Sequence, residues 1–575
     1  MEHSVIPGYR VTLYCQASFD EDKNVKLPVG FKTSVHQKRV SRVEWEHVVP
    51  AENFGRFFTR IFLISLLIFS TILLSKFILE GLGGANLSNF NLPPPRIQRA
   101  ITTFLFAIFL FFLIPSKITF WTIVFPLSLI ATVYRPIAYI YGPPDYQAMV
   151  SAFSTTFSEA KEFLCLIPAS LYLKSLLIPV TASIAYYLAR LTGIKPWKNK
   201  TLVLISLSLL IISLEPTLFF RKTFNAGEET KEQLAMLQKY IKNPLWGKTE
   251  TTSLPKDYVL IIGESARKDY FHIYGYPVPN TPFLDRINST VVNGMKSAGT
   301  YTIASLTRML TLPNKQKWEA DYGRTLIDLA KSAGIETYWI STQGVFGQFD
   351  TPVTAIAKKS DHSIFLNSNY EERNVSDLNI LKEFQKIVKI KSHKPRLIVL
   401  HTMGSHPLVC RRILDIKGPY LVTDSNLDTV ACYVTSIKKT DLFIEKVYEI
   451  LEKQKDDGGN PFSIIYFSDH GQVHTQTSSQ IKIHNNAVSK LHYDIPLIKI
   501  DSGQGESVTL ESQKSGLNFT EGLAHWMGIK NDQLSEYDLF DGKNDPEDYG
   551  LKEKIKSIKT PLDKAIDISP YLKEN

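Results

Sequence analysis

The sequence predicts a two-part protein in which a helical membrane region of five spans precedes a soluble α/β domain. The chain has 575 residues and a mean hydropathy of −0.06, yet nearly all of its long apolar runs lie before about Phe220. After that point, short apolar runs of strand length alternate with stretches of helical periodicity. With 44% hydrophobic and 21% charged side chains, the composition excludes disorder as the dominant state.

Five apolar runs have the composition of membrane-spanning helices, for which about 20 mainly apolar residues are needed. They cover approximately residues 57–79, 100–115, 118–133, 170–189 and 202–220. Only two residues separate the second run from the third, so we expect a tight helical hairpin there. A buried core helix is the alternative for any single run, but it does not account for all five. A cleavable signal peptide is not expected, since the first apolar run begins more than 50 residues into the chain.

Basic residues indicate which segments face the cytosol, because short cytosolic loops carry an excess of Lys and Arg. Such residues precede the first span, join the second to the third, and join the fourth to the fifth; they include Arg56, Arg60, Lys117, Arg190 and Lys195. An odd number of spans then places the remaining chain on the outer side of the membrane. These flanks also account for the net charge of +9. No basic patch interleaved with aromatic residues suggests nucleic acid.

The predicted organisation is therefore a cytosolic arm at 1–56, a five-helix transmembrane domain at 57–222 and, at 223–575, a domain on the outer side of the membrane, which in a bacterium is the periplasmic side. In the last of these, apolar runs at 258–262, 336–340, 396–400, 463–467 and 495–500 predict buried strands. Helical stripes at 326–333 and 443–451 lie between some of them. Strands that alternate with helices predict a mainly parallel sheet covered by helices.

Polar residues follow four of these strands directly, where parallel sheets place their ligands. They are Glu264, Ser265, Gln343, His401, His406, Asp469 and His470. Carboxylate oxygens and imidazole nitrogens are ligands of Zn²⁺, and a catalytic zinc site leaves one position open for substrate. Taken singly, an Asp-His-Gly sequence is more often a turn, and a Glu after a strand is more often a helix cap. Their convergence at one sheet edge predicts a functional metal site.

Four sequence runs carry a resemblance to a known family: VLIIGESARKDYFHIYGYPVPNTPFLD, YTIASLTRMLTLPN, LHTMGSHP and SDHG. Together with the five preceding spans they resemble the membrane-bound phosphoethanolamine transferases of Gram-negative bacteria, which belong to the alkaline phosphatase and sulfatase superfamily. The resemblance extends from about Phe57 to the end of the chain. The YGYP and YTI runs are most similar to enzymes that modify the lipopolysaccharide core.

The resemblance implies an inner-membrane enzyme with a periplasmic, catalytic, sulfatase-like domain. Its donor would be phosphatidylethanolamine among the membrane lipids, and its acceptor would be lipopolysaccharide, at a core sugar or phosphate or at lipid A. Related alternatives stay open at this point: transfer of another phospholipid-derived group such as glycerophosphate, transfer onto osmoregulated glucans, or a catalytically silent membrane sensor.

The resemblance also implies roles for individual residues. It matches Glu264, Thr302, Asp469 and His470 to the zinc ligands, and Thr302 to the nucleophile as well. Residues that would contact substrate are Thr300, Gln343, His406 and His484, of which His406 would also act in catalysis by protonating the leaving group. The two histidines could instead hold a second metal, so one zinc site is expected and a second is left open. Gln472 departs from the family pattern, which has Glu after SDHG.

Two further expectations come from the residues themselves. Thr302 precedes a helical stripe formed by Ile303, Leu306 and Leu310, and the amino end of a helix stabilises a phosphate anion. Without the resemblance, Ser265 would compete as the nucleophile because it follows a strand end beside Glu264. Cys410 and Cys432 lie in the part of the chain predicted to be periplasmic, where we expect a disulfide between them, with two free buried thiols as the alternative.

Overall fold

The fold comes from a computed structural model. It describes residues 51–82, 95–141, 169–195, 244–343, 352–366, 375–476, 481–484, 488–558 and 562–573, with isolated positions elsewhere. Its helical membrane region and its α/β unit are described separately below.

The membrane region contains long apolar helices. They are α1 (Ala51–Gly81), α2 (Pro95–Leu113), α3 (Phe125–Tyr141) and α4 (Ala169–Thr192). The short helix Lys117–Thr119 and a π-helical turn at Phe120–Val124 lead directly into α3. Among the described residues, three segments are long and apolar enough to cross a membrane: Phe57–Gly81, Lys117–Ala138 and Ala169–Thr192.

The prediction of five spans is thus confirmed only as a membrane region with three candidate spans. The second predicted run forms the apolar helix Ala100–Leu113, which at 1.5 Å per residue rises about 21 Å, short of the hydrocarbon core of about 30 Å. The fifth predicted run, 202–220, lies outside the described residues except for its last two positions.

Arg135 joins three of the membrane helices through polar contacts. Its guanidinium donates to Glu80 Oε2 at 2.8 Å, from α3 to α1, and to the backbone carbonyl of Lys174 on α4 at 2.9 Å. Charged groups among apolar helices are costly unless they are paired. This ion pair therefore stabilises the arrangement of α1, α3 and α4.

The α/β unit is built on an eight-stranded sheet with the order β11-β3-β10-β7-β2-β6-β4-β5. Its strands are β2 (Asp257–Gly263), β3 (Thr290–Lys296), β4 (Glu336–Ser341), β5 (His362–Phe365), β6 (Arg396–His401), β7 (Phe462–Ser468), β10 (Leu497–Asp501) and β11 (Val508–Ser515). Short pairs are formed by β1 (Thr249–Thr251) with β12 (Ile529–Asn531) and by β8 (Val473–Gln476) with β9 (Ile481–His484).

All five predicted strands are confirmed, as β2, β4, β6, β7 and β10. The adjacent strands β7, β2, β6, β4 and β5 pair in parallel, in agreement with the predicted mainly parallel sheet, whereas β10 runs antiparallel to both of its neighbours. The strands β3, β5 and β11 were not predicted. Asn293 and Gly294 interrupt the apolar pattern of β3, and β11 is a largely polar strand at the edge of the sheet.

Helices cover both faces of this sheet and form two apolar cores. The helices are α5 (Pro282–Arg286), α6 (Thr302–Met309), α7 (Leu326–Ser332), α8 (Pro352–Ala357), α9 (Ile380–Val388), α10 (Asp428–Asp456), α11 (Phe519–Trp526) and α12 (Leu551–Ser557). Along β2, Val259 and Ile261 enter the core formed with α9 and α10, while Leu260 and Ile262 enter the core formed with α6, α7 and α11. Side chains that alternate between two apolar layers explain why the strand is continuously hydrophobic.

The predicted disulfide is confirmed: Cys410 and Cys432 are bonded with an S–S distance of 2.07 Å. Cys410 belongs to the loop after β6, and Cys432 lies near the start of α10. The bond therefore attaches the loop that carries His406 to a helix of the core.

We expect the double substitution Cys410→Ser/Cys432→Ser to lower the free energy of unfolding by about 3 kcal/mol, because a cross-link between residues 22 positions apart restricts the unfolded chain. Denaturant unfolding of the purified protein measures this loss. The substitution Cys15→Ser/Cys165→Ser is the matched control and should leave the unfolding free energy nearly unchanged. Equal unfolding in both variants would contradict a stabilising cross-link.

Candidate metal centre

Glu264, Asp469 and His470 form a fully buried cluster at the carboxyl ends of two neighbouring strands. One ligand atom from each residue lies within 4.8 Å of the others. Strands β2 and β7 pair in parallel with Gly263 opposite Ser468, so Glu264 and Asp469 leave the sheet side by side. His470 Nε2 lies 3.5 Å from Glu264 Oε1 and 3.3 Å from Asp469 Oδ2. The register of the sheet thus brings together three of the residues that the strand-end pattern singled out.

Thr302 is the first residue of α6, as the sequence pattern predicts, and its hydroxyl contacts the cluster. Its Oγ1 donates to Glu264 Oε2 at 3.0 Å and lies 3.4 Å from His470 Nε2. The start of α6 is held in place by Ser305, whose hydroxyl donates to the backbone carbonyl of Asp469 at 2.6 Å. The cluster residues are fully buried, whereas Thr302 is partly exposed. Thr302 is therefore a partly accessible residue in contact with the buried cluster.

Ser265, the alternative nucleophile, has a different environment. It is fully buried, its hydroxyl donates to Glu264 Oε1 at 2.7 Å, and its backbone N–H donates to Asp469 Oδ1 at 2.9 Å. Its φ of 58° is unusual for a residue with a side chain. Ser265 thus orients the two carboxylates from within the protein.

Gln343, at the end of β4, is also brought to the cluster. Its amide nitrogen donates to Glu264 Oε2 at 3.0 Å and to the backbone carbonyl of Thr402 at 2.9 Å. Thr300 is buried in the loop just before α6. His484 lies on β9 with its backbone opposite Val473, and its side chain lies outside the described part of the chain.

His406 lies in the loop after β6, with its Nδ1 atom 3.4 Å from the Arg412 guanidinium. Desolvation, followed by the positive charge of Arg412, lowers the pKa of His406 to about 3. The imidazole is therefore neutral at physiological pH. Of the predicted substrate residues, the structure places Gln343 in direct contact with the cluster.

Charge repulsion and burial shape the protonation of the cluster. Burial, with the charge of Asp469, raises the pKa of Glu264 to about 8. Burial also raises the pKa of Asp469 to about 6 and lowers the pKa of His470. Two buried carboxylates are costly in their charged form unless a cation compensates them. The bare cluster favours neutral groups, and a bound cation reverses that preference.

The donor set fits a divalent cation such as zinc. Within the described part of the protein, Asp469 Oδ2 is a buried oxygen with no hydrogen-bond donor, and such an atom calls for a partner. His470 Nδ1 lies 2.7 Å from the carbonyl of Gly471, so a proton on Nδ1 leaves the lone pair of Nε2 directed at the cluster. Two carboxylates and one imidazole, with the Thr302 hydroxyl beside them, match zinc's preference for oxygen and nitrogen ligands.

The loops around the cluster are fixed by groups that the sequence did not reveal. Asp377 accepts hydrogen bonds from the backbone N–H groups of Met403 and Gly404 at 2.7 and 2.9 Å, and from Thr342 Oγ1 at 2.6 Å. A Cβ on Gly404, whose φ is +46°, would lie 2.9 Å from the Glu264 nitrogen. The GSHP run already pointed to this glycine, but no local pattern pointed to Asp377.

A hydrogen bond of the Gln472 side chain explains why glutamine stands here in place of the glutamate of the family pattern. Its buried amide nitrogen donates to the backbone carbonyl of Ser405 at 2.6 Å. An ionised glutamate has acceptors only and could not make this bond. The glutamine therefore links the loop after β7 to the loop after β6.

Comparisons with known proteins agree with this architecture. A family model described as Sulfatase matches residues 256–529. A Haemophilus influenzae protein named "Putative phosphoethanolamine transferase" is 42% identical over 370 residues, which are 63% of this chain and 76% of that protein. The phosphoethanolamine transferase OpgE of Escherichia coli (strain K12) is 28% identical over 432 residues, 71% of this chain and 80% of that protein.

A solved structure shares the fold of both parts. The integral membrane protein lipooligosaccharide phosphoethanolamine transferase A from Neisseria meningitidis aligns with a TM-score of 0.56 at 19% identity, covering 82% of this chain and 97% of that one. An α/β domain of the sulfatase type and an N-terminal membrane region are thus features of this protein.

We expect zinc binding near pH 7 to release about one proton, because the cation displaces the proton that Glu264 holds below its raised pKa of about 8. The apparent affinity should therefore increase from pH 6 to pH 8. Titration calorimetry of the full-length protein in two buffers of different ionisation enthalpy counts the protons. Glu264→Gln should bind zinc more weakly and release none. Zinc binding to the unsubstituted protein without proton release would contradict the protonated state of Glu264.

Proposed function

The chain belongs to the phosphoethanolamine transferase family, and we propose that it moves phosphoethanolamine from phosphatidylethanolamine to lipopolysaccharide through a covalent step on Thr302. One observation carries this proposal: the hydroxyl of Thr302, a partly exposed residue, lies within 3.4 Å of both Glu264 and His470, at the amino end of a helix. A nucleophile that lies beside a metal-binding cluster and at the amino end of a helix suits phosphoryl transfer.

We propose Glu264, Thr302, Asp469 and His470 as the zinc ligands. Zinc held there supplies positive charge that lowers the cost of deprotonating a hydroxyl and of placing negative charge on phosphate oxygens.

In the first displacement, Thr302 Oγ1 forms a bond to the donor phosphorus, and the bond from phosphorus to the diacylglycerol oxygen breaks. The hydroxyl of Thr302 donates to Glu264 Oε2, and its proton must leave as the bond to phosphorus forms. The backbone N–H groups at the amino end of α6 stabilise the phosphate oxygens. The product is phosphoethanolamine attached to Thr302, together with diacylglycerol, whose oxygen must gain a proton.

We propose that His406 either protonates the leaving diacylglycerol oxygen or binds a phosphate oxygen of the substrate. Its lowered pKa favours a neutral imidazole, which donates a hydrogen bond from one nitrogen only. A neutral ring suits binding to a phosphate oxygen. Protonation of the leaving oxygen requires the negative charge of a bound phosphodiester to raise that pKa. Three further residues are proposed to contact the same substrate: Gln343, which contacts Glu264, together with Thr300 and His484.

In the second displacement, a hydroxyl or phosphate oxygen of the acceptor attacks the phosphorus and gives up any proton that it carries, while the bond from phosphorus to Thr302 Oγ1 breaks and this oxygen takes up a proton in its place. The two steps use the same nucleophile in turn, so one cluster serves both donor and acceptor. The resemblance of the YGYP and YTI runs to core-modifying enzymes supports lipopolysaccharide as the acceptor. The assembled cluster argues against a catalytically silent sensor.

We further propose that residues 1–56 are cytosolic, that 57–222 lie in the inner membrane and that 223–575 form the periplasmic catalytic domain. Two observations support this location. The membrane region holds three candidate spans with basic flanks. The disulfide between Cys410 and Cys432 suits an oxidising compartment such as the periplasm.

Incubation with phosphatidylethanolamine and no acceptor should add one phosphoethanolamine mass to Thr302. The substitution Thr302→Ala should abolish the adduct and reduce turnover at least about 10³-fold, because no nucleophile remains, while zinc stays bound through Glu264, Asp469 and His470. Ser265→Ala should still form the adduct on Thr302. Mass spectrometry of intact protein and peptides measures both. An adduct on Ser265 would refute the assignment, and turnover without any adduct would favour direct transfer.

Deletion of the gene should remove one phosphoethanolamine group from lipopolysaccharide. Expression of the unsubstituted protein should restore this group, whereas expression of the Thr302→Ala variant should not. Mass spectrometry of lipopolysaccharide and of periplasmic glucans from the same cells identifies the acceptor. If phosphoethanolamine were lost only from the glucans, the acceptor would be a glucan and not lipopolysaccharide, and the proposed transfer chemistry would still hold.

A further inference from the structure

Tyr433 contacts the turn that follows Glu264 although it lies far away in the sequence, on α10. Its side chain is fully buried. Its hydroxyl donates to the backbone carbonyl of Ser265 at 2.7 Å and accepts from the backbone N–H of Arg267 at 2.9 Å. We propose that Tyr433 is a positioning residue of the metal centre, which holds this turn in the conformation that directs Glu264 and Asp469 at the cation. The inference rests on the proposed zinc site.

The turn requires such support because Ser265 is in a conformation that side chains disfavour. Its φ of 58° lies in the left-handed region, which is strained for a residue that carries a side chain. A relaxed Ser265 would have a negative φ, and its N–H and hydroxyl would then point elsewhere. Contacts from outside the turn must therefore stabilise the observed conformation.

The conformation of Ser265 decides where the metal ligands point. Its N–H donates to Asp469 Oδ1 and its hydroxyl donates to Glu264 Oε1. These bonds occupy one oxygen of each carboxylate. Of the other oxygens, Asp469 Oδ2 lies 3.3 Å from His470 Nε2, and Glu264 Oε2 accepts from Thr302 Oγ1 and from the Gln343 amide. Loss of the Ser265 conformation would thus misorient both carboxylates at once.

Tyr433 is well placed to provide this support. Burial raises the pKa of its hydroxyl above the usual value, so the proton donated to Ser265 is retained. Its own position is fixed on both sides along α10: Cys432 is bonded to Cys410, and Ser436 Oγ lies 2.7 Å from Ser405 Oγ. Ala266 in the same turn is held by Ser468 on the sheet, so Tyr433 is the support that comes from the covering helix.

The ring and the hydroxyl of Tyr433 have separable roles. The ring packs edge-on against Tyr270, with centroids 4.9 Å apart, inside the core between the sheet and α10. Substitution by phenylalanine preserves this packing and removes only the hydroxyl. Tyr466 on β7 offers a matched control: it is equally buried, and its hydroxyl has no hydrogen-bond partner within the described part of the protein.

The test compares Tyr433→Phe with Tyr466→Phe in the full-length protein in detergent, by chelator competition for zinc. We expect Tyr433→Phe to weaken zinc binding about tenfold, as is usual when support of a metal ligand is lost, and Tyr466→Phe to leave it unchanged. Unchanged affinity in Tyr433→Phe, or an equal loss in both variants, would overturn the inference. Absence of zinc binding by the unsubstituted protein would instead refute the proposed metal site.

A double-mutant cycle tests the route through Ser265. If Tyr433 acts by orienting Ser265, Tyr433→Phe should weaken zinc binding less in a Ser265→Ala background than in the unsubstituted protein, because the hydrogen bond from the Ser265 hydroxyl to Glu264 is already absent. Fold-changes that multiply independently would show that Tyr433 does not act through Ser265. The melting temperature of each metal-free variant separates a general loss of stability from a loss of zinc affinity.

Discussion

The parallel pairing of β2 with β7 is the constraint on which the site depends. Gly263 lies opposite Ser468, so Glu264 and the Asp469-His470 pair leave the sheet together. Every residue of both strands is buried, so apolar pattern alone does not favour one register over a shifted one. Polar groups do. The buried Arg396 guanidinium bonds both oxygens of Asp257 and sets β2 against β6, and the Ser265 N–H bonds Asp469 where β2 and β7 end.

Burial makes the ionised carboxylates of this site unfavourable in the metal-free protein and favours the binding of a cation. Burial and the proximity of the two carboxylates disfavour their ionisation, which is why the pKa of Glu264 is raised to about 8. A divalent cation offsets that repulsion. The surrounding loops must then hold the ligands in place whether or not the cation is bound, and they do so through Asp377, Gln472 and Tyr433, each of which contacts backbone groups from another segment.

The success of sequence reasoning differed between local and long-range features. Buried central strands such as β2 and β7 were predicted because both of their faces contact apolar layers. The polar edge strand β11 and the interrupted strand β3 were missed, since neither shows a continuous apolar run. The second predicted span forms a helix whose apolar part is short. Thr302 was identified through a resemblance, whereas its position at the start of α6 also follows from the apolar spacing behind it.

The sequence by itself determined the chemical types of the site, namely two carboxylates, an imidazole and a hydroxyl, each after a strand or at a helix start. It determined them because strand ends and helix starts are local features. Only the tertiary structure decided which residues support them. Asp377, Tyr433 and the buried hydroxyl of Ser265 act on partners that are distant in sequence or depend on an unusual φ. Such contacts exist only after the sheet has set its register, and no local pattern encodes them.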